Sequence, residues 1–314
     1  MSLFSRQRKT KEERRELRRY TWTQVKRNKD CYVYLAPFFI IFFLFTVLPV
    51  LISIFLSFTY YNAIQFPRFI GLTNYINLFI NDSVFLIAVK NTLIISLFAG
   101  PLGYLMSLFF SWIISELPDK PRAVMTMILY APSISGGAYM VWQLIFSNDA
   151  YGYANSWLMT LGFISEPIQF LTTPKYMLVI VIIVMIWTSM GTGFLSMVAG
   201  FQTLDRTMYE AGYLDGISNR FQELWFITLP MMKPQLLFSA IMSITGSFGA
   251  GAVSTAFFGF PSTDYGAHTI INHLEDYGNI RYEMGYACAI ATLLFLLMIV
   301  TNKLVRNLLS KVGT

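Results

Sequence analysis

Six long apolar stretches alternate along the chain with shorter polar ones. They cover Tyr32–Arg68 (core Tyr34–Phe58), Asn91–Ser115, Ala123–Asn148, Tyr176–Leu204, Pro234–Thr263 and Met284–Asn302. Each is long enough to cross a bilayer, which takes about 20 apolar residues in a helix. The pattern therefore predicts an all-α membrane protein with six transmembrane helices. These fall at about 34–58, 86–114, 123–146, 176–201, 235–259 and 284–304. Residues 1–31 form a basic tail, 32–308 the transmembrane domain and 309–314 a short C-terminal tail, with the polar segment 202–234 between helices four and five. Pro37 and Pro49 remove backbone donors from the first helix and are expected to bend it.

Composition agrees with this reading. Hydrophobic residues make up 55% of the 314 and charged residues only 13%, against about 25% charged in an ordinary soluble domain. Positive charge sets the orientation. The segment before the first helix carries 11 Lys or Arg, Glu116–Arg122 carries 2, Gln202–Lys233 carries 3 and the tail from Lys303 carries 3. The opposite loops hold only Arg68, Lys175 and Arg281. Both termini and the 202–234 segment are thus expected in the cytoplasm. Lys90 reads as a base snorkelling to the outer headgroups. The first apolar run, preceded by polar residues and lacking a small-residue cleavage site, reads as a signal anchor. The basic tail suits anionic lipid rather than nucleic acid. Cys31 and Cys288 lie too far apart along the chain to suggest a disulfide framework.

The external connections carry little chemistry. Phe69–Phe85 mixes aromatics with Asn and Asp and predicts a helix along the membrane surface. The segment Pro261–Glu283 holds both histidines, His268 and His273. Their spacing does not suit one helical face and no cysteine accompanies them, so a solvent-facing loop is expected rather than a metal site.

The cytoplasmic segment is denser. Asp205, Arg206, Glu210, Asp215, Arg220, Glu223 and Lys233 fall within it, and placing them all at the bilayer centre would cost on the order of 20 kcal/mol. Thr207 and Glu210 have the spacing of a capping box. Gly216 offers the left-handed stop for a helix of about two turns. Ser218 or Asn219 then caps a second helix through Phe221–Thr228, which Pro230 is expected to end. On the first helix Met208, Ala211, Gly212 and Asp215 share a face, and the small residues at 211 and 212 leave room for a close partner. Read from residues alone, this is either a capped inter-helix loop or a docking site.

"EAGYLDG" (Glu210–Gly216) followed by "ITLP" (Ile227–Pro230) resembles the EAA loop of binding-protein-dependent ABC importer permeases. Gly212 stands where that family has a second alanine, and one extra residue lies between Gly216 and Ile227. "LAPFFIIFFLFTVLPVLISIFLSF" (35–58), "FIGLTNYINLF" (69–79), "NTL" (91–93) and "GFQTLDRTMYEAG" (200–212) resemble the carbohydrate-uptake branch, which includes the larger maltose-type and multiple-sugar membrane subunits.

The resemblance implies a type I ABC importer permease fold, multi-pass in a bacterial inner membrane. It implies that the short helix seats in a cleft of a cytoplasmic ATPase subunit, Glu210 pairing with a base there while Ala211, Gly212 and Gly216 permit close packing, with Asp215 on the same knob. Further implied partners are a second homologous permease, two ATPase subunits that bind ATP and Mg, an extracytoplasmic solute-binding protein and a sugar or oligosaccharide. The chain has no Walker-A pattern, so it is expected to be no enzyme and to hold no cofactor or metal. Polar and small residues should face a cavity or another helix. Ser239, Ser243, Gly246, Ser247 and Ala250 form such a stripe on the fifth helix, and Met185, Ser189 and Thr192 on the fourth, near Trp187 and Thr188. Because the resembling family binds substrate near mid-membrane, Ser189, Thr192, Ser243 and Ser247 are the candidate substrate-path residues.

Two other classes compete. A secondary transporter or channel would carry acids or bases inside its helices, where this chain has almost none. A membrane scaffold or sensor would lack a reason for the docking segment. Within ABC importers, permeases for glycerol phosphate, peptides, amino acids or phosphonates remain alternatives.

Overall fold

The computed structural model describes residues 11–309, and side chains for residues 19–308. The remainder of the basic tail (1–10) and the last five residues of the C-terminal tail lie outside them. The chain divides after Phe55 into two units.

The first unit holds α1 (Lys11–Arg27) and all but the last residue of α2 (Lys29–Leu56), which is 28 residues long and apolar enough to cross a membrane. A π-helical turn at Phe43–Val47 interrupts α2 just before Pro49, where the missing amide breaks the regular ladder.

The second unit opens with a two-stranded hairpin, β1 (Thr59–Tyr60) against β2 (Arg68–Phe69). A short helix, α3 (Thr73–Ile76), continues as a π-turn over Asn77–Asn81. Then follow α4 (Ser83–Ser115), α5 (Asp119–Ile134), α6 (Ala138–Ile145), α7 (Tyr153–Thr160), α8 (Pro174–Thr188), α9 (Thr192–Gln202) and α10 (Arg206–Leu214). The chain closes with α11 (Arg220–Met231), α12 (Lys233–Ser247), α13 (Gly251–Phe258), α14 (Ile270–Glu275) and α15 (Met284–Leu309). Four segments among the described residues could each cross a membrane: α2, α4, Pro174–Gln202 and Met284–Leu308. The bent pairs α5–α6 and α11–α12 raise the number to as many as six.

Helix α4 is turned inside out relative to a soluble helix. Asn91, Thr92, Ser107 and Ser111 are buried, whereas Leu97, Phe98 and Leu105 are exposed. That is the arrangement lipid favours, with small and polar groups at helix contacts. Packing is spread over several small clusters, one of them Ile95, Ala99, Met177, Val181, Ala250 and Ala267.

Several expectations need correction. The third apolar run is not one straight helix: α5 and α6 meet at 89° across Ser135–Gly137. Pro132 removes one ladder amide near the end of α5, and the glycine pair Gly136–Gly137 lets the chain leave the helix readily, which places the break there. Pro230 does not end the second loop helix. It sits in that helix's last turn, after a π-helical turn over Leu224–Thr228 that already interrupts the regular ladder, and the 85° bend follows at Met232. The histidines do not face solvent. His268 and His273 are 3% and 2% exposed, because side chains from neighbouring helices pin their segment into the bundle. The Asn91 amide donates to the carbonyls of Tyr265 (3.1 Å) and His268 (3.0 Å), and Ser254 Oγ donates to that of Ala267 (2.6 Å).

Candidate functional site

The serines and threonine singled out by the sequence come together. Ser189, Thr192, Ser243 and Ser247 all line one cleft of about 470 Å³. It forms where three of the apolar runs lose their helical regularity. The fourth breaks at Ser189–Gly191, between α8 and α9. The fifth breaks at Phe248–Ala250, between α12 and α13, and the third at Ser135–Gly137. Irregular backbone at membrane depth is tolerated where it lines a cavity, because its amides and carbonyls can meet polar groups there.

The hydroxyl groups are oriented by the backbone. Ser189 Oγ donates to the Ile186 carbonyl (2.6 Å), Ser247 Oγ to that of Ile244 (2.7 Å) and Ser243 Oγ across to Gly100 of α4 (2.8 Å). Each proton is thus committed, and the oxygen lone pairs remain able to accept a ligand hydroxyl. Gly103 makes the approach possible: a Cβ there would come within 2.7 Å of Ser189 Cβ and Oγ.

Met185, Thr188, Ser239 and Gly246 line the same cleft, whereas Ala250 packs in the core and Trp187 stacks edge-on to Trp142 at 5.8 Å. Sequence reasoning missed the contribution of the third run, which adds Tyr130, Ser133, Ser135, Gly136 and Tyr139. The run "PSISGG" (132–137) carried the signal, as a proline followed by two glycines. The lining contains no Asp, Glu, Lys, Arg or His.

The second assembly is the loop α10–α11. Asp205, not Thr207, caps α10: its side chain accepts from the Thr207 amide at 3.0 Å. The displaced capping box leaves Glu210 exposed, without an ion pair among the described residues. Asn219 caps α11 through the Gln222 amide (2.9 Å), as one of the two expected candidates. Gly216 adopts φ +93°, the left-handed stop its residue type serves.

The shared face is divided. Met208, Ala211 and Asp215 are exposed, but Gly212 is buried and packs within the chain. A Cβ at 212 would lie 2.6 Å from Ile227 Cδ1, so this glycine brings α10 against α11 rather than meeting a partner.

The pair is further tied by Tyr209 Oη to Thr228 Oγ1 (2.8 Å) and by Tyr213 Oη donating to Glu223 Oε1 (2.5 Å). Glu223 is almost wholly buried. Burial pushes its carboxyl up, yet the Tyr213 hydroxyl and Arg220 guanidinium outweigh this and hold it below the usual range. A polar groove of about 630 Å³ runs beside the loop, lined by Glu116, Arg122, Arg206, Glu210 and Arg220 among others. The buried Glu223 network was not visible as a motif, since Arg220 lies on the same helix as Glu223 but Tyr213 comes from α10.

A multi-helix bundle with an uncharged cleft and a polar two-helix loop is an arrangement suited to a membrane transport subunit. The chain belongs to the family described as binding-protein-dependent transport system inner membrane component, whose model matches residues 99–314. It is therefore a multi-pass inner-membrane permease of an ABC transporter. It is 34% identical over 226 residues to the "Probable ABC transporter permease protein YesP" of Bacillus subtilis (strain 168), covering 71% of each chain. It is 31% identical over 229 residues to the lactose transport system permease protein LacF of Rhizobium radiobacter, covering 72% of this chain and 75% of that one. A crystal structure of a bacterial ABC transporter for import of the acidic polysaccharide alginate contains a chain of the same fold. The TM-score is 0.74 at 24% identity, over 94% of this chain and 100% of that one.

Proposed function

We propose that this chain imports a neutral sugar or oligosaccharide, forming the pathway with a second homologous permease. Two separate ATPase subunits bind ATP and Mg, and an extracytoplasmic binding protein delivers the solute. In this reading six helices cross the membrane, both termini are cytoplasmic, and residues 202–234 project into the cytoplasm. Glu210, Ala211, Asp215 and Gly216 present the knob to the ATPase, while Gly212 keeps it compact. Ser189, Thr192, Ser243 and Ser247 offer acceptors to sugar hydroxyls, and Tyr130, Tyr139, Met185 and Met242 give apolar surface for the C–H faces of a ring.

The observation that carries the reading is the convergence of three broken helices on one uncharged, hydroxyl-lined cleft. A phosphorylated or zwitterionic solute would want a fixed charge there; a polyol wants what the cleft offers. The lactose system named for one relative points the same way.

The test is uptake of radiolabelled lactose and of glycerol phosphate by cells carrying the whole transporter. Sugar uptake should occur and fall at least about tenfold in Ser243→Phe, with the ATPase subunit still co-purifying. Glu210→Lys should lose both uptake and co-purification. Uptake of glycerol phosphate alone, or wild-type transport by Ser243→Phe, would count against this assignment.

A further inference from the structure

Resting on that reading of the loop, we propose that Arg220 is a positioning residue through which the knob drives α4, a helix it does not adjoin in sequence. The geometry is a bridge. Arg220 Nη1 pairs with Glu223 Oε2 at 2.9 Å, and its Nη2 pairs with Glu116 Oε2 at 3.1 Å. Glu116 is the C-cap of α4. One turn earlier Trp112 meets Phe221, the residue after Arg220, ring against ring at 5.4 Å. Glu223 is held in turn by Tyr213 of α10. The chain Tyr213–Glu223–Arg220–Glu116 therefore joins both loop helices to the end of α4.

What lies beyond makes this connection mechanical. Between Glu116 and Gly103, α4 runs without proline or break, and Gly103 abuts Ser189 at the cleft. The helix that follows the loop in sequence offers a poorer path, since the 85° bend at Met232 lies between α11 and α12. The helix that precedes it, α9, also reaches the cleft unbroken, at Thr192, so α4 adds a second rigid path from the loop to the same cleft. A rigid element carries displacement, whereas a break absorbs it. Arg220 is suited to the task because its planar fork can hold two carboxylates in fixed directions. Glu116 is half exposed and Glu223 is buried, so the Glu116 contact can be removed while the knob keeps its internal pair.

The test uses the assembled transporter in proteoliposomes, with Cys31 and Cys288 replaced and Met242→Cys in the cleft as a reporter for a maleimide. Trapping the ATPases with ATP and vanadate should change the reporter's labelling rate about tenfold, within the usual range for coupling between sites. Glu116→Lys should leave vanadate trapping intact but erase the change in labelling, Glu116→Gln should weaken it, and Glu116→Asp should retain it. A full-sized change in Glu116→Lys overturns the proposal. Loss of trapping in Glu116→Lys also overturns it, since Glu116 would then act on ATPase engagement rather than on transmission. If the parent transporter itself shows no change on trapping, the functional reading of the loop falls first and this inference with it.

Discussion

His268 and His273 are bases held where a charge is poorly tolerated. His268 Nε2 lies 3.3 Å from His273 Nδ1, and His273 Nε2 lies 2.9 Å from Asp82 Oδ2. Asp82 also caps α4 through the Phe85 amide and accepts from the hydroxyls of Tyr277 and Tyr286. Burial pushes His268 down to about 4, and the neighbouring imidazole of His273 adds to this against the opposing pull of Asp276 and Asp82. For His273 burial again outweighs Asp82 and lowers the pKa, while Arg281 acts in the same direction. Burial alone would raise Asp82, but the Phe85 amide, His273 and Tyr286 hold it below the ordinary carboxylate value. An imidazole in the unfolded chain titrates near 6.5, so below that pH the unfolded state binds protons that the folded state refuses. The stability from burying neutral histidines is therefore fully present above about 6.5 and is lost as pH falls towards about 4. Hydrogen-exchange protection of residues 261–283 should decline across that window, and His268→Gln should flatten the decline. Protection that stays level from neutral pH to 4.5 would mean that burial of these rings does not govern the segment.

At the scale of elements, the breaks matter more than the helices. The apolar runs were legible because bilayer length leaves a long compositional trace, and Gly216 and Asn219 were legible because turns and caps restrict residue type. The hydroxyl stripe on the fifth run was legible too, since helical spacing alone places Ser239, Ser243 and Ser247 together. What composition could not reveal was where a run stops being helical, because Ser189–Gly191 and Phe248–Ala250 are as uncharged as their surroundings. Nor could it reveal pairings across the chain, such as Glu116 with Arg220 or Asp82 with His273. Thr207–Glu210 was misleading for a physical reason: Asp205 offers an equally good oxygen two residues earlier and wins the cap. Cap residues of this kind are worth about 1 kcal/mol each, too little for spacing alone to choose between two candidates.

The breaks still need close packing to hold the cleft in shape. Gly103→Leu would drive a side chain into Ser189, and overpacking of this sort costs about 1–3 kcal/mol. The variant should insert and retain its ATPase subunit but lose most sugar uptake. Uptake within about twofold of the parent would mean that α4 and the fourth-run break can separate without consequence.

For the membrane-crossing unit as a whole, helix length and charge constrain each other. Helix α4 has 33 residues, so it is about 50 Å long, against about 30 Å of hydrocarbon to cross. Some of it must extend beyond the apolar layer, and Asp82 at one end and Glu116 at the other mark ends that carry charge. Glu116 pairs with Arg220, so the knob lies at the same end as the α4–α5 connection. Asp82 and the histidine segment lie at the other. In the proposed orientation the knob's end faces the cytoplasm, the side on which Lys and Arg collect in membrane proteins. In a chain whose two cysteines are replaced, labelling reports only the introduced thiol. A membrane-impermeant maleimide applied to intact spheroplasts should label Tyr151→Cys, an exposed position in the long connection between α6 and α8. It should leave Glu210→Cys unlabelled until the membrane is opened. Labelling of position 210 in sealed spheroplasts would put the knob on the outer surface, where neither an ATPase nor the Arg220 bridge could act as described.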